Sequence, residues 1–192
     1  MNDIQLNFIG PLSFRDDSSS VFRSASAASA GVYLWTFRQE KSGEHLIHYV
    51  GETKFLAKRH RVHLINILGM NYGIFDPLQA KQGVRKELWK GLWRERSPDG
   101  PCKLLAIYTS LSSSAADYVN EMNIFFAPFD GDTNTRKHIE GSIGWRVRNE
   151  YADFKALYPD DNHIGTSATK LGCRLIITAS EKILGLAPEV EL

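Results

Sequence analysis

The sequence predicts a single α/β (α+β) domain, a small antiparallel sheet flanked by helices, and three observations carry that reading. Residues 31–51 hold two β-rich runs around a turn, residues 54–68 carry a one-sided apolar pattern ended by glycine, and a second strand-then-helix succession follows at 123–151. The chain is also the right size for one core: it has 192 residues, 43% of them hydrophobic. The 23% share of charged residues excludes wholesale disorder.

Each element follows in order. Residues 1–30 end in the small, polar tract SSSVFRSASAASA, which has no periodicity and reads as an N-terminal arm. GVYLWTF (31–37) is a strand, RQEKSGEH a turn, and LIHYVG (46–51) the return strand of a hairpin. KFLAKRHRVHLINIL (54–68) is a helix with a cationic face, stopped by Gly69. Residues 70–122 read as an inserted mixed segment. It contains a short amphipathic helix (KQGVRKELWKGLWRER), the breaker SPDGP, a strand at 103–111 (KLLAIYTSL) and a helix in SAADYVNEM. Trp89 and Trp93 stand at i and i+4 and read as core, with a stacking surface for DNA as the rival. NIFFAPF (123–129) is a strand, Thr133 to Tyr151 a helix, and YPDDN (158–162) a loop. Residues 164–192 close the domain as a C-terminal helical segment.

Some function classes drop out early. No apolar run approaches the roughly 18 residues that cross a bilayer, so no membrane partner is expected. The start, MNDIQLNFIGPLSF, lacks the basic n-region of a secretory signal. Cys102 and Cys173 form no CxxC pair and read as reduced thiols of a cytoplasmic protein. Net charge is +1, but its distribution is uneven. From Glu52 to Arg96, ten Lys/Arg face four acids, a local charge of +6 that leaves −5 elsewhere. A basic middle fits a nucleic-acid footprint; a solvated helix face is the plain alternative.

The chemistry-bearing residues cluster around the hairpin. Gly31-Val32-Tyr33 stands on its first strand and Tyr49-Val50-Gly51 on its second, with fifteen residues between the tyrosines. Arg59 follows Tyr49 by ten residues, and His63 lies one helical turn later on the same face. Glu140 sits on the helix after the 123–129 strand, and Pro159-Asp160-Asp161-Asn162 follows.

This set resembles the GIY-YIG endonuclease superfamily over about residues 30–163, with the nuclease domain at 31–163. The resemblance implies a small three-stranded antiparallel sheet flanked by helices, with NIFFAPF as its third strand, and a DNA-cleaving centre using one divalent metal. The sequence departs from the family pattern in several places. Both motif isoleucines are valine, the hairpin connection is longer, and Glu52 stands where a lysine is frequent. The Glu140-to-Asn162 gap is also long, which makes Asn149 a rival for the asparagine role.

The residue types suit phosphodiester hydrolysis. Glu140 as a metal ligand would leave most positions around Mg²⁺ (or Mn²⁺) to water and phosphate oxygens. Arg59 offers a planar fork to the phosphate. Tyr33 would serve as base if its pKa were lowered, His63 would relay the proton, Tyr49 would bind phosphate or water, and Asn162 would hold the loop shaping the site. Lys54, Lys58, Arg61, Arg85, Lys86, Lys90 and Arg94 are the candidate contacts to double-stranded DNA. The expected function is a divalent-metal-dependent DNA endonuclease, of type II restriction, repair or mobile-element kind. A homodimer would serve double-strand cutting. A catalytically inactive nucleic-acid-binding or regulatory module on the same scaffold is the alternative.

Overall fold

The structure, a computed structural model, describes residues 3–149 and 172–191. In chain order its elements are β1 (Ile4–Leu12), β2 (Gly31–Arg38), β3 (His45–Thr53), α1 (Leu56–Leu68), β4 (Ile74–Phe75) and α2 (Pro77–Lys81). They continue with β5 (Glu87–Trp89), α3 (Gly100–Glu121), β6 (Met122–Pro128), α4 (Thr133–Asn149), β7 (Arg174–Ala179), β8 (Ile183–Leu184) and β9 (Glu189–Glu191).

One seven-stranded mixed sheet, in the order β8-β3-β2-β6-β1-β7-β9, organises the chain, and β4 and β5 form a separate ribbon. This overturns the expected small three-stranded antiparallel sheet. The antiparallel trio β3-β2-β6 lies inside it, but β8 extends one side and β1, β7 and β9 the other. The added strands come from segments read as arm and helix. In β1 the alternation IQLNFIG turns Leu6 and Phe8 inward; in β7 RLIITA does the same with Leu175 and Ile177. The two strands pair in parallel from Ile4↔Leu175 to Phe8↔Ala179. Residues 3–30 are therefore no free arm, and the described part of the predicted C-terminal helical segment forms short strands joined by turns.

The inserted segment differs too. KLLAIYTSL, predicted as a strand, is the first half of α3. Pro101 sits in that helix's first turn, where a missing N–H costs nothing, so SPDGP starts a helix as well as ending what precedes it. The second half of α3 packs most closely, through Leu111, Ala115, Tyr118 and Val119; in the first half Leu104 touches the core, but Leu105 is 77% exposed. The helix expected at 81–96 is broken by left-handed turns at Gly83 (φ 81) and Gly91 (φ 89), with β5 between them. A Cβ at Gly91 would meet the Tyr72 carbonyl carbon at 2.6 Å.

Alternation along β2 divides the core. Val32 and Leu34 join Ile139, Ile143 and Val147 of α4 on one face. Tyr33, Trp35 and Phe37 join α1, the insertion and α3 on the other. On β3 the register slips between Trp35↔Tyr49 and Thr36↔Ile47, leaving His48 as an extra residue. That bulge breaks the alternation, so His48 and Tyr49 both turn to the α1 face.

Candidate active site

Helix α1 places its buried stripe, Leu56, His60, His63 and Ile67, over the β2–β3 hairpin. Arg59 lies one residue outside the stripe and is half-buried. Tyr33 crosses beneath the helix. Its ring lies over Gly51, its register partner, where a Cβ would collide with the phenol and would approach Tyr49 Cε1 to 2.7 Å. The second glycine motif thus clears a path for the first motif's tyrosine. Gly31 is needed for a similar reason: a side chain there would strike the Ala127 carbonyl and the Phe126 ring.

The hydrogen bonds define a directed chain. Arg59 Nε donates to the Tyr33 hydroxyl oxygen at 3.4 Å, and with His63 in its Nδ1-protonated tautomer the phenol's own proton goes to His63 Nε2, 2.7 Å away. His60 Nδ1 donates to the Leu56 carbonyl at 3.0 Å, and His60 Nε2 accepts from Trp35 Nε1 at 3.2 Å. The Tyr33 and Tyr49 ring centroids are 5.9 Å apart. Tyr33, Tyr49, Arg59 and His63, expected together from their spacing, do converge.

The electrostatics correct one expectation. Tyr33 is fully buried, and burial pushes its phenol well above the usual value; Tyr49 adds to the rise and Arg59 opposes it. Tyr33 is therefore no lowered-pKa base in this state. Burial, with the Arg59 charge and His60, drops the His63 imidazole to about 2, so it is a neutral acceptor at all ordinary pH. Burial also raises Tyr49, and Glu140 adds to that rise while Arg59 opposes it. Burial alone would depress Arg59, but the tyrosine oxygens around it reverse this and hold it charged.

Glu140 comes from α4, one turn beyond Arg136. Among the described residues β8 pairs with β3 only at His45 and Leu46, leaving the Gly51–Thr53 end of β3 as an open edge. Buried Arg136 spans that edge: its Nε donates to Glu52 Oε2 at 3.0 Å, and its other nitrogens hold Thr133 Oγ1 and the Gly131 carbonyl. Burial raises the Glu140 carboxyl to about 7, the Glu52 charge adds to the rise, and Arg59 and Lys137 oppose it. Its charge in turn acts on both tyrosines. Glu140 thus belongs to the same electrostatic neighbourhood as the hairpin cluster. Glu52 and Arg136 were not anticipated as site residues; Glu52's place beside Gly51 was the only signal.

Of the two asparagine candidates only Asn149 is described. Asn162 lies outside the described residues. Asn149 is exposed, and its Nδ2 donates back to the Trp145 carbonyl at 2.7 Å.

Beside the cluster opens a cavity of about 340 Å³, reaching from Tyr49, Arg59 and His63 to the insertion. Of the candidate DNA contacts, Lys54, Lys58, Arg61, Lys86, Lys90 and Arg94 are exposed. Lys86 pairs with Asp76 at 3.4 Å, Lys90 with Glu95 at 2.8 Å and Arg94 with Glu87. Arg85 departs from a surface role: it is half-buried, 4.6 Å from the centre of the Phe75 ring, in the cavity wall. Trp89 is core, with its Nε1 donating to the Met70 carbonyl at 2.8 Å, whereas Trp93 is 60% exposed. Among the described residues no helix is long and apolar enough to cross a membrane. No family model, curated protein or solved structure matches the chain.

Proposed function

We propose that the protein is a divalent-metal-dependent endonuclease of the GIY-YIG kind acting on DNA. The observation that carries this reading is the joining of Tyr33, Tyr49, Arg59 and His63 in one bonded cluster, with the Glu140 carboxylate in its field. A structural ion-pair network would not need a neutral histidine, two neighbouring tyrosines and a half-buried cation around an opening.

Roles follow from exposure. Arg59 and Tyr49 line the cavity and are the groups that meet a phosphate. Tyr33 lies beneath them, and His63, though buried, also reaches the cavity wall; the Tyr33 oxygen accepts from Arg59 Nε and so sets the direction of its fork. Passing the phenol proton to His63 Nε2 becomes easier once anionic substrate and a cation alter the field, and only then does Tyr33 take part in proton handling.

The residues fit a hard cation. Glu140 is raised to about 7 partly by the negative charge of Glu52, so a divalent ion at this carboxyl relieves an existing repulsion. Among the described residues no group of three His, Cys, Asp or Glu could hold a metal; Glu140 alone would leave most positions of a Mg²⁺ or Mn²⁺ to water and phosphate oxygens. Bound there, the ion would supply charge stabilisation to the phosphoryl group.

Full burial of Tyr33 and His63 favours a second reading, a non-cleaving DNA-binding module. Supercoiled plasmid incubated with the protein in Mg²⁺, Mn²⁺ or EDTA separates the two. Nicking or linearisation only with metal is expected; duplex binding without cleavage under every condition favours the module.

A further inference from the structure

The cavity beside the cluster has an unusual lining for a mere packing defect. It is walled by aromatic rings, with Trp35 and Tyr49 on one side and Tyr72 and Trp93 toward the mouth. Tyr72 and Trp93 meet edge-to-face, with centroids 5.0 Å apart. Cations stand around the space: Arg59 joins it to the hairpin cluster, and Lys90 and Arg94 come from the turn after β5. Their ion pairs with Glu95 and Glu87 hold these last two in place.

Two buried histidines add a second, independent sign. His48 is 5% exposed and His63 2%, and both line the cavity. Each uses Nε2 on a tyrosine hydroxyl, His48 on Tyr118 at 2.8 Å and His63 on Tyr33. Each leaves Nδ1 buried with no hydrogen-bond partner among the described residues. Buried polar atoms are nearly always satisfied, so two unpartnered ring nitrogens in residues that line the cavity mark unused polar capacity just behind its surface. The β3 bulge is what turns His48 to this side next to Tyr49.

Flat aromatic walls and cations around the opening are complementary to a nucleobase joined to a phosphate. The volume falls in the range of about 300–1,000 Å³ usual for small-ligand sites. We propose that this cavity receives one nucleotide of DNA taken out of the base stack, its base among the aromatic rings and histidines and its phosphate toward Arg59. The inference rests on the nuclease reading for its substrate and extends it: the enzyme would engage DNA by extruding a nucleotide beside the scissile bond. A duplex in which unstacking is already complete should then bind more tightly, because the protein need not supply that energy.

The test uses the full chain in EDTA, so that cleavage does not intrude, and three fluorescent duplexes of one sequence. One is fully paired, one carries a single bulged thymidine, and one carries an abasic residue at the bulge. Tighter binding of the bulged thymidine than of the paired duplex, by about tenfold or more, is expected, with the gain lost in the abasic duplex. Trp93→Ala should erase the gain; because Trp93 is largely exposed, the variant should fold. Trp145→Ala, at an exposed site on α4 outside the cavity, should keep the gain. Equal binding of bulged and paired duplexes overturns the proposal. So does an equal gain with the abasic bulge, which would mean that the protein prefers a bent backbone. Plasmid cleavage in Mg²⁺ is scored separately. Cleavage without the thymidine preference sinks the cavity inference alone, and the preference without cleavage sinks the nuclease reading alone.

Discussion

The two faces of the sheet are made by the same strands and are built on opposite principles. On the α4 face Val32, Leu34, Ile47 and Val50 meet Ile139, Ile143 and Val147, and the outer strands add Leu6, Phe8, Leu175 and Ile177. Burial there is mostly aliphatic, and its stabilisation grows with the apolar area removed from water. On the α1 face a buried apolar set that includes Phe37, Leu56, Ile67, Met70, Ile74 and Phe126 surrounds Tyr33, Trp35, His48, His60 and His63, which hydrogen-bond in pairs beside a cavity. Polar groups buried in this way contribute little net stability even when paired, and the unpaired Nδ1 atoms oppose it. The contrast teaches a division of labour within one sheet: both faces bury apolar side chains, but the α1 face also keeps polar groups that folding alone would not select.

Substitutions on the two faces should therefore separate stability from activity. The largest stability effect should come from Ile143→Ala. It removes a fully packed side chain between α4 and the hairpin and should cost about 2–5 kcal/mol, read from urea unfolding. Because α4 also carries Glu140, residual folded enzyme should still cleave when the temperature is lowered. A loss under about 1 kcal/mol would erase the distinction between the faces.

Arg59→Lys should give the converse. Stability should change by under about 1 kcal/mol, since Arg59 is half-buried with one long hydrogen bond. Cleavage should fall on the order of 10²-fold, because an ammonium cannot reproduce the fork held against the Tyr33 oxygen. Retained activity would reduce Arg59 to general attraction for DNA.

A smaller effect distinguishes the faces by pH. Burial lowers His48 to about 3, His60 to about 4 and His63 to about 2. The folded state keeps these rings neutral, whereas the unfolded chain takes up protons below about pH 6.5. Where the unfolded state binds more protons, stability rises with pH. Their contribution is thus complete above about pH 6.5 and is lost as pH falls toward the folded values. Each histidine adds a slope of up to about 1.4 kcal/mol per pH unit. Urea midpoints at pH 7.5, 6 and 5 should fall steadily for the wild-type chain. His63→Gln, which keeps an acceptor for Tyr33, should flatten that fall by roughly one histidine's share. An unchanged slope would mean that His63 is not held neutral.

The contrast also explains what the sequence disclosed. The cluster was legible because its parts are close in sequence: a hairpin and the helix behind it fix Tyr33, Tyr49, Arg59 and His63 with little help from the rest of the chain. The sheet's true extent was not legible, because β1 and β7 stabilise each other across 170 residues and neither is decisive alone. IQLNFIG did alternate, but it stood before a long polar tract and read as part of it. Pro101 misled by serving as helix start rather than stop. The bulge that turns His48 toward the cavity left no trace in composition, so the cavity was invisible until β3 was seen in register with β2. Glu140 was identified by its place on a helix after a strand, but its raised pKa arises from Glu52 and burial, which are tertiary facts.

The most direct test is the rate of plasmid nicking by the wild-type chain and by Glu140→Gln, each in Mg²⁺ and in EDTA, with duplex binding measured in EDTA. The wild-type chain should nick only with metal, and Glu140→Gln should lose at least about 10²-fold in rate while binding duplex within about tenfold of wild type, because its carboxylate serves the metal rather than affinity. Equal nicking by the glutamine variant, or wild-type nicking that persists in EDTA, would contradict a metal-dependent centre built on Tyr33, Tyr49, Arg59, His63 and Glu140.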